Sequence, residues 1–127
     1  VVIVSWLHPK RAAMVFAVAL SPTYASTISL ERESAAVARA DLLPGDFFIQ
    51  GGSPGHCVLV LDVATNAAGE RAALLGQGFM PAQDFQVLAS GEPSLSPWFS
   101  LDNANMDTPF WPAFEWSSLH RFQRQTK

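Results

Sequence analysis

The sequence predicts an α+β domain: an N-terminal helix or helices packed on a small antiparallel sheet or partial barrel, closed by an irregular, aromatic and proline-rich C-terminal wrap. Three observations carry this. A helical stripe with a start signal lies ahead of Asp41, short branched and aromatic runs bounded by Gly, Pro and Asn follow from Asp46, and residues 91–127 mix prolines with three of the four tryptophans. The chain has 127 residues, 49% hydrophobic and 15% charged. A single domain spanning 1–127 follows, divided into an N-terminal segment (1–20), a helix-plus-sheet core (21–90) and the wrap (91–127), with enough apolar surface to build a core.

The first segment holds two apolar runs, Val1 to Leu7 and Ala12 to Leu20, parted by His8-Pro9-Lys10-Arg11. Neither reaches the ~18–20 residues needed to cross a bilayer, so no membrane span is expected. Lys10-Arg11, the second run and Thr23-Tyr24-Ala25 follow the order of an export signal. For residues of a folded chain, a strand from Val1 to Leu7 followed by a buried helix is the preferred reading.

Ser21-Pro22 starts a helix, because serine can cap free amides and proline at the first helical position loses no needed donor. The predicted helix runs from Pro22 to about Ala40. Tyr24, Ile28, Ala35 and Ala38 form its apolar stripe, and Glu31, Arg32, Glu33 and Arg39 its wet side. Leu43-Pro44-Gly45-Asp46 then turns the chain.

Strands are predicted at Phe47 to Gln50, His56 to Ala64, Arg71 to Gly78 and Phe85 to Ala89. Asn66 to Gly69 makes the second and third a hairpin, and Gly51-Gly52-Ser53-Pro54-Gly55 forms a loop that admits close backbone approach. The tail is too apolar for a free linker. It should pack on the sheet and end in a short element near Ser117 to Phe122.

Charge and cysteine content exclude several functions. A formal net charge of -3 without a basic cluster removes the footprint of nucleic-acid binding. The single cysteine, Cys57, leaves no internal disulfide and no multi-cysteine zinc site. His8 and His120 have no partners at ligand spacing, so neither a metal nor a cofactor is expected. No phosphate loop, dinucleotide fingerprint, G-x-S-x-G elbow or H-E-x-x-H is present.

His56 is the main candidate for chemistry, since it opens an apolar strand directly after the glycine-rich loop. Its bland alternative is a loop histidine bonded to nearby backbone. Strand alternation turns the adjacent Cys57 to the opposite face with Leu59 and Leu61, as a small core residue rather than a nucleophile. If the hairpin turns around Ala67-Ala68, Gln77 falls nearly opposite Val58, on His56's face, where its amide could orient the ring. A strand-end glutamine satisfying a loop is the alternative. Asp46 reads as a turn cap, and Asp62 lies ~20 Å along the strand from His56. Trp98, Phe99, Phe110, Trp111, Phe114 and Trp116 form either a stacking platform or, preferably, a sealed core edge.

The run Leu43 to Ile49, followed by Gly55 to Asp62, resembles the P-G-D, strand, histidine-led strand signature of NlpC/P60-type cysteine peptidases of the papain-like class. A closer similarity covers about Tyr24 to Phe122. Tyr24 to Leu30, Gly45 to Gly52, Pro54-Gly55-His56, Gln77 to Gln83, Ser96 to Phe99 and Leu119 to Phe122 look like the C-terminal half of the bacterial domain of unknown function 4846.

The resemblance implies that His56 is a general base and Gln77 its orienting partner, with Gly51, Gly52, Gly55, Met80, Gln83 and Trp98 lining the cleft. The papain-like nucleophile is a cysteine at a helix N-terminus ahead of the P-G-D strand, and no cysteine precedes Asp46 here. The expectation is therefore the histidine-bearing part of a peptidase or amidase, inactive alone, in a periplasmic or otherwise extracytoplasmic setting. The alternatives are a non-catalytic module for a cell-wall peptide or glycan, and a truncated family member completed as a homo-oligomer.

Overall fold

The computed structural model describes residues 27–52, 55–78, 85–109 and 111–123. The expected strand at Val1 to Leu7, the run Ala12 to Leu20, the export-like pattern, the Ser21-Pro22 helix start and the cleft residues Met80 and Gln83 lie outside them. Among the described residues, seven strands make one antiparallel sheet: β1 (Ser34–Ala36), β2 (Phe47–Gln50), β3 (His56–Thr65), β4 (Arg71–Gln77), β5 (Gln86–Val87), β6 (Phe99–Ser100) and β7 (Leu119–Phe122). Their spatial order is β1-β7-β2-β3-β4-β5, and β6 also pairs with β4.

This overturns the expected α+β arrangement of an N-terminal helix or helices packed on a small NlpC/P60-like sheet. The described helix amounts to α1 (Thr27–Arg32) and two isolated 3-10 turns, Arg39–Asp41 and Trp116–Ser118. The helix predicted through Ala40 stops at Arg32 because Ser34 Oγ donates to the Leu30 carbonyl at 2.8 Å, taking the acceptor that another helical turn would use. Ala35 and Ala36 have helix-forming composition, yet they pair with Arg121 and His120 of β7. A partner 86 residues away from Ser34 overrides local propensity.

The tail is likewise more than an irregular wrap. It supplies β6 and β7, and β7 lies inside the sheet between β1 and β2. The turn before β2 is locked to β7 by charge. Asp46, 0% exposed, accepts from Arg121 Nε at 2.6 Å, from Arg121 Nη2 at 2.9 Å and from the Leu43 backbone N–H at 2.8 Å. Gly45 takes φ 93°, a left-handed conformation that suits glycine, and its N–H reaches the Val60 carbonyl at 2.8 Å.

Both faces of the sheet are buried. One carries Phe48, Val58, Val60, Ala73, Leu75 and Leu119, covered by Leu101, Met106 and Phe114 from the tail. The other carries Phe47, Ile49, Leu59 and Leu61 with Leu30 of α1, and Cys57 packs there.

The β3/β4 hairpin contains an irregularity that decides which face Gln77 occupies. From its turn, Thr65 pairs with Arg71 and Asp62 with Leu74; beyond Leu61 the register shifts, and Val60 pairs with Leu75 and Leu59 with Gly76. Continued unchanged from the turn, the first register would set Gln77 opposite Leu59, on the face of Cys57. The extra residue moves the pairing by one, which turns a strand's side chains to the other face. Gln77 therefore falls opposite Val58, on the face of His56.

Among the described residues, no helix is long and apolar enough to cross a membrane.

Candidate functional site

His56 and Gln50 are Cα partners across β2 and β3, and Gln77 ends the neighbouring β4. Antiparallel pairing thus gathers three polar side chains at one end of the sheet, on the face covered by the tail. His56 is 8% exposed and Gln77 1%. His56 Nε2 lies 2.7 Å from Gln77 Oε1. An amide oxygen only accepts, so this contact assigns the proton to His56 Nε2 and the ring's lone pair to Nδ1.

Burial lowers the His56 pKa below its ordinary 6.5, and the hydrogen bond to Gln77 opposes that shift in part. The ring is therefore held neutral near neutrality, the state in which an imidazole can take a proton.

Among the described residues, two aromatic rings frame the imidazole. The Trp111 ring lies 4.8 Å from it at 31°, and the Phe114 ring 6.2 Å at 26°. Phe114 is fixed by its backbone bridge to Met106, and it and Trp111 both lie at the His56 end of the sheet. Trp111 Nε1 donates to Gln50 Oε1 at 2.7 Å. The glutamine opposite His56 thereby anchors the indole beside it.

Two buried polar atoms have no hydrogen-bond partner among the described residues, Gln77 Nε2 and Thr108 Oγ1. Gln77 thus spends its amide oxygen on His56 and leaves its amide nitrogen unanswered, an arrangement costly for a glutamine with a purely structural task.

Of the residues expected to line a cleft, Gly51, Gly52 and Gly55 are half-buried in the loop between Gln50 and His56. Trp98 stands elsewhere. It precedes β6, whose Phe99 pairs with Ala73, four residues and roughly 13 Å along β4 from Gln77. Trp116 also serves another purpose, with the Arg39 guanidinium 4.3 Å above its ring. Cys57 faces the opposite side of the sheet, and burial pushes its thiol up to about 12. It cannot supply a thiolate to His56. Asp46 is committed to Arg121 and the turn, and Asp62 bonds the backbone N–H of Val63.

Gln50 was not singled out by the sequence, and Trp111 entered only as one ring of a platform. A closed hairpin over residues 51–55 carries the missing signal for Gln50, since it sets Gln50 opposite His56. The 55-residue separation of His56 from Trp111 carries no such signal. No group of three His, Cys, Asp or Glu side chains among the described residues could hold a metal ion.

A family model described as domain of unknown function (4846) matches residues 12–121. No curated protein and no solved structure matches the chain. The likeness to NlpC/P60 peptidases finds no support in these comparisons.

Proposed function

The chain belongs to the family of domain of unknown function 4846, and from that premise we propose that His56 is the general base of a site for thiol-dependent cleavage of amide or peptide bonds, oriented by Gln77. One observation carries the reading: a buried, neutral imidazole whose Nε2 is bonded to a side-chain amide oxygen at 2.7 Å, which assigns basic character to Nδ1.

In the proposed reaction His56 Nδ1 accepts the proton of a thiol as its sulfur attacks the acyl carbon, and the imidazolium returns that proton to the departing amine. Gln77 keeps the ring in one tautomer and one orientation throughout, the role of the third member in a nucleophile–base–orienter set. Cys57, the single cysteine of the sequence, is turned away on the opposite face, so the reaction needs a thiol supplied to His56. Without one, turnover by this chain should be negligible.

A supplied nucleophile tests this. With 2-mercaptoethanol as thiol and a p-nitrophenyl ester as acyl donor, attack forms the thioester and releases p-nitrophenol. The folded chain should accelerate this transfer, and His56→Asn should lower the acceleration by at least about tenfold, a modest share of what general bases contribute. Equal rates for wild type and a folded His56→Asn would remove the catalytic reading. They would leave the same residues as a binding surface for a peptide or cell-wall ligand.

A further inference from the structure

We propose that Trp111, tethered by Gln50, is a second positioning residue for His56, covering the imidazole and keeping water from its hydrogen bond with Gln77. The inference rests on the reading of His56 as a base and adds what holds that base from the side.

Gln77 alone contributes one hydrogen bond, worth about 0.5–1.5 kcal/mol net, and water competes for it unless excluded. The indole supplies the cover. Its ring lies 4.8 Å from the imidazole at 31°, near enough to parallel for ring contact. An indole on an irregular segment could leave that place, but its N–H donates to Gln50 Oε1 at 2.7 Å. Gln50 is itself set by pairing, because β2 and β3 place it directly opposite His56. The same strand pair therefore fixes both the base and the anchor of the ring that covers it. Gln50 is an exposed residue on the buried-histidine end of the sheet, where water could otherwise satisfy its amide. Its bond to Trp111 is thus better explained by where it holds the indole than by any need for a partner.

The test measures the His56 tautomer and titration midpoint by long-range proton–nitrogen NMR, together with thiol transfer from the p-nitrophenyl ester, in Trp111→Ala, Trp111→Phe, Gln50→Ala and Gln77→Leu. Trp111→Ala should admit water, reduce the Nε2–H tautomer and move the midpoint up toward 6.5, the value of an unburied imidazole. It should also lower the maximal transfer rate about tenfold with little change in the ester concentration at half-maximal rate. Trp111→Phe keeps a ring but loses the tether to Gln50, so it should move both readouts in the direction of Trp111→Ala by less, and Gln50→Ala should match it. If Trp111→Ala unfolds the chain, Gln50→Ala at its exposed position decides the matter. Unchanged tautomer and midpoint in the folded Trp111 and Gln50 variants would overturn the inference. Should Gln77→Leu shift the tautomer while those variants do not, this inference alone falls. If Gln77→Leu has no effect either, the reading of the base falls with it.

Discussion

Gln77 Oε1 meets His56 Nε2 at 2.7 Å because β3 carries one residue more than its partner strand requires. Leu61 is that residue, and the register shift beside it turns Gln77 from the face of Cys57 to the face of His56. Bulges beside sites are a known way of re-aiming a side chain, and this one joins two residues 21 positions apart into a buried polar pair.

The buried state of His56 has a consequence for stability. Its folded pKa lies below 6.5, so between the two values the unfolded chain holds a proton that the folded chain lacks. Stability contributed by the neutral imidazole is complete above 6.5 and declines as pH falls through that window. Urea unfolding at roughly pH 7.5 and pH 5.5 should show a larger loss for wild type than for His56→Gln, which has no imidazole to titrate. Parallel losses would assign the acid sensitivity to carboxylates instead.

The Asp46–Arg121 pair predicts unequal costs for its two partners. Arg121→Met strands a carboxylate that is 0% exposed, whereas Asp46→Asn leaves a guanidinium that is 33% exposed and can be hydrated. Removing the arginine should cost about 3 kcal/mol or more, and Asp46→Asn less. Denaturant midpoints of the two variants at one pH measure both costs, and equal deficits would contradict this asymmetry.

Gly76 has no room for a methyl group. A Cβ there would stand 2.6 Å from Cε1 and Cζ of Phe85 and 3.0 Å from Leu61 Cδ1. Phe85 is already 39% exposed, so its ring can swing outward and limit the cost of Gly76→Ala to about 1–2 kcal/mol. Phe85→Ala should recover most of that loss. Strictly additive effects in the double variant would show that the ring does not occupy this place.

Much of the sheet centre was legible because local pattern decides it. Phe47 to Gln50 form the predicted strand, and alternation within His56 to Leu61 separates the His56 face from the Cys57 face. Ser34 to Ala36 were illegible for the opposite reason. Their small, helix-compatible side chains take their conformation from β7, and nothing within the segment announces that partner. The Gln77 position shows how a correct neighbour can follow from an incomplete route. A turn centred on Ala67-Ala68 sets Gln77 opposite Val58 without a bulge. The observed turn pairs Thr65 with Arg71 instead, and the shift near Leu61 compensates. The Trp111 and Gln50 contact needed the path of the whole tail, which residue periodicity does not encode.

The nitrogen spectrum of His56 tests the central claim most directly. Long-range proton–nitrogen correlations recorded from roughly pH 8 to pH 5 read both tautomer and midpoint at a single residue. The expected result is the Nε2–H tautomer, a midpoint below 6.5, and loss of that tautomer's dominance in Gln77→Leu. A dominant Nδ1–H tautomer in the wild type, or a midpoint above 6.5, would contradict it.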